Sequence, residues 1–372
     1  MKKLLVPLMV LLLVLTGCAP KLDSDSKVVQ KDSEKKGETG IMTKNQISSS
    51  YYKTVLPYKA SKSRGLVVSN INSRYDINEL ESGLMRISQN NYAVDQYLFQ
   101  EGQYLDEDTL SKWLSRQSDE NKDGLNPADN GTGNDRNPIY LAHILEQDYL
   151  KQTDDNTVSL GGVSVALAMN SVDYYQKEQY GDTYEQDISD SDLLAKGKEM
   201  AQTVVNRMRQ TKGLENVPIT VAIYKQGRRD AVAPGNYMAY TTAEGTDLDD
   251  WKEIKEKSYV LPSNDAASDH KTDSDSFLNF KADIEKYYPN YTGVVGRARY
   301  ENGQLAELDV DIPVQFYGEA EIIGFSQYVT DLVGKHLPNT ANIQVNISTT
   351  DGPAALITRS ANEDAANAHI YN

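Results

Sequence analysis

The residue with the most distinctive chemistry is the single cysteine, Cys18, near the start of the 372-residue chain. A thiolate is a strong nucleophile, but one cysteine cannot form an intramolecular disulfide or a multi-cysteine metal site. Before it lie a cationic start (Met1–Lys3), a nearly continuous apolar run (Leu4–Leu15) and the small residues Thr16 and Gly17. This order is typical of a signal peptide that is cleaved before Cys18. The run is shorter than the roughly 20 apolar residues of a membrane-spanning helix.

The sequence Leu15-Thr16-Gly17-Cys18 resembles the bacterial lipobox, in which the cysteine is lipidated and becomes the first residue of the mature chain. We therefore expect a lipoprotein-processing signal peptidase to cut between Gly17 and Cys18. The lipid anchor on Cys18 would then hold the protein on the extracellular face of the cell membrane. Each buried CH₂ group contributes about 0.8 kcal/mol, and several acyl chains hold far better than one. The alternative is an ordinary secretory signal in which Cys18 has no special role.

The four histidines do not form a recognisable catalytic or metal-binding pattern. His143, His270, His336 and His369 are far apart in sequence, and no nucleophile-elbow, phosphate-loop, dinucleotide or zinc-protease motif occurs. We place His143 and His336 on helices and expect structural or solvated roles for all four. The sequence does not exclude a Ser/His/Asp triad whose members come from scattered positions. We predict no catalytic residue, no cofactor and no enzymatic activity.

One short segment has the residue types of a cation site. Asp119, Asn121 and Asp123, followed by Gly124, match the first half of an EF-hand loop, whose alternating oxygen ligands suit calcium. The twelfth position is Asn130 rather than the bidentate Glu that completes such a site. A solvated turn explains the same residues, so this is a weak calcium candidate.

The elements that would position these residues indicate an α+β fold with mixed or antiparallel sheets and two similar β-α-β units. In the first unit, strands at Val163–Met169 and Ile219–Ile223 flank a helix that opens at Ser189. In the second, strands at Leu308–Phe316 and Ile343–Ile347 flank a helix that opens at Glu319. A hairpin with a turn at residues 301–304 precedes the second unit.

The remaining elements are predicted less directly. Helices are expected at Asp76–Gln89, Asp106–Leu114 and Ile139–Leu150, a strand at Ala93–Phe99, and exposed loops at Gln117–Pro138 and Asn264–Ser276.

Composition divides the chain into four parts. Residues 1–17 are the signal peptide, and residues 18–50 are polar enough to remain a disordered tether. Residues 51–270 contain the first unit, and residues 271–372 contain the second. The net charge of −16 argues against nucleic-acid binding, which needs cations that contact phosphate, and against an electrostatic hold on an anionic membrane.

Seven short segments spread along the chain are informative together: Arg64–Leu66, Gly124–Pro127, Ile144–Asp148, Ala166–Val172, Val221–Gln226, Gln327–Thr330 and His369–Tyr371. In their order and number they resemble the CamS family, the sex-pheromone cAM373-precursor lipoproteins of Gram-positive bacteria. The resemblance implies that a hydrophobic peptide cut from the released signal sequence can act as a secreted pheromone for plasmid-bearing enterococci. It implies no settled activity for the mature part.

The corresponding peptide in this chain would be Leu11, Leu12, Leu13, Val14, Leu15, Thr16 and Gly17. It reads LLLVLTG and departs from the pheromone heptapeptide AIFILAS, so the resemblance does not establish that it is active. We expect the mature part to bind or scaffold an extracellular partner whose identity the sequence does not give. The alternative is a solute-binding lipoprotein of an uptake system, which needs two lobes with a deep cleft.

Overall fold

The computed structural model describes residues 27–30, 38–43, 45–131, 135–153, 157–287, 293–315 and 318–371. The first domain contains, in chain order, β1 (Lys27–Gln30), β2 (Glu38–Met42), β3 (Lys53–Leu56), α1 (Arg64–Asn70), α2 (Arg74–Ser88), β4 (Tyr97–Glu101), α3 (Glu107–Leu114), β5 (Leu141–Gln152), β6 (Thr157–Asn170), β7 (Val172–Gln176), β8 (Thr183–Asp187), α4 (Asp190–Met208), β9 (Ile219–Gln226), β10 (Asn236–Ala243) and β11 (Lys252–Glu253). The second domain contains β12 (Glu256–Leu261), α5 (Asn264–Asp269), α6 (Lys271–Tyr287), β13 (Val295–Glu301), β14 (Gln304–Pro313), α7 (Glu319–His336), β15 (Asn342–Thr349), β16 (Gly352–Arg359) and β17 (Asn367–Ile370).

Each domain is built on its own sheet. The first has the order β1-β2-β3-β4-β5-β6-β9-β10-β11, and the second has the order β12-β13-β14-β15-β16-β17. The predicted α+β class with mixed sheets is therefore confirmed. The change of sheet falls between β11 and β12, whereas the predicted division at residue 270 falls between α5 and α6 of the second domain.

The two predicted β-α-β units are present, and the repetition between the domains is longer than predicted. β6 and β9 pair in parallel and are connected through α4, and β14 and β15 pair in parallel and are connected through α7. The strands on either side of each parallel pair are antiparallel. The order β4-β5-β6-β9-β10-β11 thus has the same pairing pattern as β12 to β17. The β7–β8 hairpin, which precedes α4, is an addition to the first domain.

At one end of the first domain, strands β1 to β6 close into a ring. β1 pairs antiparallel with β2 and also pairs in parallel with β6, through Val29–Thr157 and Gln30–Val158. The interior of the ring is apolar and contains Val28, Met42, Val55, Leu98, Leu150, Val158 and Leu160. β1 and β2 lie inside the segment predicted as a tether, so part of that segment pairs with the folded domain. The ladder to β6 supplies the stability that these short, polar strands lack alone.

The sheets differ in how their faces are covered. In the first domain, α4 covers one face and α1 with α2 cover the other. Ser73 caps the start of α2, because its hydroxyl accepts the Asp76 N–H at 3.1 Å. Its apolar stripe packs on the sheet through Leu80, Leu84 and Ile87, which are all buried.

The second sheet has one apolar face, on which α6 and α7 pack. Alternate residues of β14 point to opposite faces. Leu308, Val310 and Ile312 enter the core, whereas Glu307 and Asp309 lie on the polar face. That polar face of β14 and β15 lies toward the first domain.

Two predicted elements are wrong in type. The segment Ile139–Leu150 was expected to be a helix, but residues 141–152 form β5, so His143 lies on a strand. The segment Asn264–Ser276 was expected to be a loop, but it forms α5 and the start of α6. The predicted helices at Asp76–Gln89 and Asp106–Leu114 are confirmed, whereas the strand expected at Ala93–Phe99 begins only at Tyr97.

Candidate functional site

A cleft of about 1070 Å³ lies between the two domains. Residues of α1, α2, β4 and β5 form its first wall, and residues of β14, β15 and β16 form its second wall. Because the polar face of the second sheet forms the second wall, the cleft is rich in hydroxyl, amide and carboxylate groups. Such a surface suits a ligand that makes many hydrogen bonds.

One rim of the cleft is held by a compact group around Glu101, at the end of β4. The Arg64 guanidinium and the Tyr58 hydroxyl both donate to Glu101 Oε1, and the Ser61 N–H donates to Glu101 Oε2 at 2.6 Å. Burial opposes ionisation of Glu101, but these hydrogen bonds outweigh it and lower its pKa. Glu101 is therefore a fixed anion whose charge Arg64 neutralises.

His143, on β5, lines the cleft from the first wall and is 1% exposed. Burial lowers the pKa of His143 to about 4, so the imidazole is neutral at physiological pH. Its Nδ1 has no hydrogen-bond partner among the described residues. Buried polar atoms in native proteins are nearly always hydrogen-bonded, so this nitrogen is an exception within the packed first wall.

A pair of buried carboxyls lies next to His143 on the same strand. Glu146 accepts the Leu105 N–H at 2.7 Å and the Tyr104 N–H at 3.1 Å, and Asp148 accepts the Gln103 N–H at 3.0 Å. Together they order the connection from β4 to α3.

No N–H or hydroxyl donor in the described chain reaches Asp148 Oδ1. Burial and the neighbouring Glu146 raise the pKa of Asp148 well above its ordinary value. Both causes favour the neutral form of Asp148, because burial penalises charge and two adjacent buried carboxylates repel each other. Its Oδ2 accepts the Gln103 N–H and the side chain is fully buried, which suits a structural role.

An ionic network crosses from the first domain to the second beside the cleft. Arg86, on α2, contacts Glu79 at 2.6 Å on its own helix and Glu256 at 3.1 Å on β12. Arg299, on β13, continues the network to Glu256 at 3.4 Å and to Glu307 at 2.8 Å. Burial alone would lower the pKa of Arg86, but the two carboxylates raise it. Because Arg86 and Glu307 also line the cleft, the network fixes the two walls relative to each other.

The residues singled out in the sequence lie elsewhere. Cys18 and the segment Leu11–Gly17 lie outside the described residues. The Asp119–Asp123 segment is an exposed loop in which the Asn121 amide donates to the Lys112 carbonyl at 2.8 Å, and the Lys122 ammonium contacts Asp119. Asn121 thus supports the end of α3. Within the described ranges, no group of three His, Cys, Asp or Glu residues is placed to hold a metal ion.

The other three histidines do not line the cleft. His270 ends α5 and stacks on Tyr300 with ring centroids 3.5 Å apart. His336, on α7 as predicted, hydrogen-bonds Asp283 at 2.8 Å, and His369 lies on β17. The family-matching segments Arg64–Leu66 and Ile144–Asp148 contribute residues to the cleft, but no catalytic or ligand-binding motif marks them, so sequence reasoning missed the site. The one usable signal was the alternation of apolar and polar residues along β14, which predicted a polar, solvent-accessible face of this strand.

The fold and the cleft define a two-domain α+β protein with a duplicated, helix-connected sheet and a polar interdomain groove. The family model described as the CamS sex pheromone cAM373 precursor matches residues 58–365, so the chain belongs to the CamS family.

Two solved structures agree with this assignment. A sex pheromone precursor from Lactobacillus salivarius is 37% identical with a TM-score of 0.84, and the match covers 90% of this chain and 99% of that one. The C-terminal domain of the sex pheromone staph-cAM373 precursor from Staphylococcus aureus is 33% identical with a TM-score of 0.71, covering 82% and 98%. No curated protein matches the chain. Among the helices of the described residues, none has the length and apolar character needed to cross a membrane.

Proposed function

We propose that the chain is a cell-surface lipoprotein whose mature part binds an extracellular ligand in the interdomain cleft. The observation that carries this proposal is the cleft of about 1070 Å³ between the two domains, which is lined by hydroxyl, amide and charged side chains from both. The ionic network through Arg86 supports the proposal because it keeps the two walls in a fixed relation.

The test is ligand-dependent thermal stabilisation with probes of known chemistry. Chitotetraose, a neutral pentapeptide and a disaccharide–pentapeptide fragment of peptidoglycan cover the extracellular chemistries that a polar cleft would accept. A probe at 100 times its dissociation constant stabilises the folded protein by about 2.7 kcal/mol. Ser82→Trp fills the cleft from α2 and should abolish the shift, whereas Ser111→Trp, on the exposed side of α3, should not. Stabilisation by no probe, or equal stabilisation of both variants, contradicts the proposal.

A solute-binding lipoprotein of an uptake system is the second candidate, and the two-lobed shape with a cleft supports it. An experiment in cells distinguishes the two functions. A strain that lacks the protein should fail to accumulate a radiolabelled cleft ligand if the protein serves uptake. Unchanged accumulation favours a binding or scaffolding role at the surface.

Anchoring through Cys18 is proposed from the Leu15–Cys18 sequence and from membership of a pheromone-precursor family. Globomycin, which inhibits the lipoprotein signal peptidase, should block processing, and Cys18→Ala should release the chain from the membrane or leave it unprocessed. Mass spectrometry of the native protein should find a lipid on residue 18. Membrane retention of Cys18→Ala equal to that of the wild type would exclude lipidation as the anchor.

Release of a pheromone from the signal peptide is proposed on the basis of the family. Synthetic peptides that end at Gly17 and begin at successive positions from Leu11 would be applied to cells that respond to such signals. A response to one length supports the proposal, and silence at every length removes it.

We also propose that the protein is not an enzyme. The Glu146–Asp148 pair is a buried acid–base feature at the cleft, and both Glu146 oxygens and Asp148 Oδ2 accept backbone N–H groups of residues 103–105. Hydrolysis of any of the three probes by the wild type, lost in Glu146→Gln, would overturn this part of the proposal.

A further inference from the structure

One face of α2 lines the first wall of the interdomain cleft. The lining residues Asn78, Glu81, Ser82, Met85 and Gln89 recur at the spacing of a single helix face. Glu81 is the carboxylate of this face, and within the described chain no side chain or backbone group forms a hydrogen bond or an ion pair with its carboxylate. The first wall therefore presents a negative charge that no cation contacts.

The second wall presents a similar carboxylate from β14. Alternation along the strand places Glu307, Asp309 and Asp311 on its polar face. Arg299 holds Glu307 at 2.8 Å, and Arg297 holds Asp311 at 2.7 Å. Asp309 lies between these two ion pairs, and no described residue forms a hydrogen bond or an ion pair with its side chain. Each wall of the cleft thus carries one carboxylate that the protein itself does not neutralise.

The cations that line the cleft are engaged elsewhere. Arg64 and Arg86 are held by the carboxylates of the rim and of the ionic network. Arg359 pairs across the strands with Ile343 of the apolar face, and its guanidinium donates to backbone carbonyls at the end of α7. Its side chain therefore points away from the cleft. Among the described residues that line the cleft, no cation is left to receive an anionic ligand.

The surroundings of the two carboxylates disfavour their negative charge. Burial and the neighbouring Glu101 raise the pKa of Glu81, and burial and the neighbouring Glu307 raise the pKa of Asp309. A cation in the cleft would offset this cost, because an opposite charge nearby favours the ionised carboxylate. Gln344, beside Asp309 in the parallel register of β14 and β15, lines the cleft with an amide oxygen that can accept a further hydrogen bond.

We propose that the ligand of the cleft carries an ammonium group, which Glu81 of the first wall and Asp309 of the second wall attract. An ammonium group has three N–H donors and no acceptor, so it matches carboxylate and amide oxygens. An anionic ligand would meet both carboxylates and would have to break an existing ion pair to find a cation. The ammonium chemistry is shared by the lysine side chain of a peptide and by a free polyamine. This inference rests on the proposed function, because it requires the cleft to be a ligand site.

The experiment uses isothermal titration calorimetry on the unlipidated chain from Ala19 onward, which retains all described residues. Two pentapeptides, blocked at both ends, have four alanines around a central lysine, and in one of them the lysine ammonium is acetylated. The peptides therefore differ in charge at a single group. One exposed ion pair contributes up to about fivefold in affinity. We expect the charged peptide to bind about tenfold more tightly than the acetylated one, and high salt to reduce this ratio.

Variants of the two carboxylates locate the preference. Glu81→Gln and Asp309→Asn keep the shape of each side chain, and each should weaken binding of the charged peptide by about threefold or more. Neither should change binding of the acetylated peptide, and the double variant should bind both peptides equally. The matched control is Glu178→Gln/Asp331→Asn, which removes the same charge from exposed positions on the β7–β8 hairpin and on α7. The control should keep the preference.

Competition with cadaverine, a five-carbon diamine, distinguishes the two sources of the ammonium group. Displacement of the charged peptide by an equal concentration of cadaverine assigns the site to a free polyamine. Charged-peptide binding that resists cadaverine assigns it to a lysine side chain within a peptide. Either result agrees with an ammonium ligand.

Three outcomes would overturn the proposal. They are equal binding of the two peptides, a preference that survives in the double variant, and binding of neither peptide nor cadaverine. Equal binding removes only the ammonium preference and leaves the cleft as a ligand site. Where neither peptide binds, the thermal-stabilisation assay with the uncharged probes decides separately whether the proposed function also fails.

Discussion

Removing Arg86 should weaken the connection between the two domains by a measurable amount. Arg86→Met keeps most of the aliphatic stem but deletes the contacts to Glu79 at 2.6 Å and Glu256 at 3.1 Å. Breaking a buried ion pair costs about 3–5 kcal/mol because a charge is left buried without a partner. The Arg86 side chain keeps 27% exposure, and Glu256 retains Arg299 at 3.4 Å. We therefore expect a loss of about 2–3 kcal/mol in the free energy of unfolding.

Urea denaturation, followed by circular dichroism, measures this loss, and Arg74→Met is the matched control. Arg74 begins the same helix, is exposed and forms no ion pair with another described residue, so its variant should stay within about 0.5 kcal/mol of the wild type. A double-mutant cycle with Glu256→Gln should give a coupling energy of about 1–2 kcal/mol. If Arg86→Met costs no more than Arg74→Met, or if the two changes are additive, the network does not hold the domains together.

Three further predictions concern the first domain. His143→Gln should make the free energy of unfolding less dependent on pH in acid. The pKa of His143 is about 4 in the folded protein against an ordinary value of 6.5, so the wild type loses about 3 kcal/mol of stability as pH falls through this range. Urea midpoints measured between these two pH values would show the difference. Asp148→Asn should raise the unfolding free energy at neutral pH. The pKa of Asp148 is raised in the folded protein, so the wild type loses stability as pH rises above the ordinary pKa of an aspartate. An unchanged urea midpoint at pH 7 would contradict this raised pKa. Gly162→Ala should destabilise the fold by about 1–3 kcal/mol and so lower the melting temperature. The reason is that the new Cβ would lie 2.1 Å from Cε1 of the buried Tyr92. An unaltered melting curve would contradict the packing at this position.

The sequence predicted the elements whose patterns are local. α4 and α7 have apolar stripes at helical spacing, and β14 alternates between buried and polar residues along its length. Each helix lies between two predicted strands and begins with residues that favour a helix start, so the two β-α-β units could be identified from the sequence alone.

The errors have physical causes in the environment of each segment. β5 lies within a sheet that is covered on both faces, so eight consecutive residues from His143 to Leu150 are buried and no alternation remains. The spacing of Leu141, Ile144 and Leu145 then imitates a helix. Residues 264–276 bury few apolar side chains, and α5 depends instead on Ser263, whose hydroxyl accepts the Ala266 N–H at 3.2 Å.

The cleft could not be predicted because its residues are neighbours only in the fold. Arg86 and Glu256 come from different domains, and each is an ordinary surface residue type in its own segment. His143 carries no local signal either, since its burial results from the packing of α1 and α2 on the sheet. To predict a site of this kind, one must know which faces of the two domains lie against each other.

The pairing of β1 with both β2 and β6 bears on how fragments of this protein should be designed. Strand edges with unpaired N–H and C=O groups recruit other chains and promote aggregation. A fragment that began at Tyr51, where polar sequence gives way to apolar sequence, would lack β1 and β2 and so uncover the free sides of β3 and of the first residues of β6. A fragment that began at Lys27 would keep both sides satisfied, and it should stay monomeric at concentrations where the shorter one precipitates.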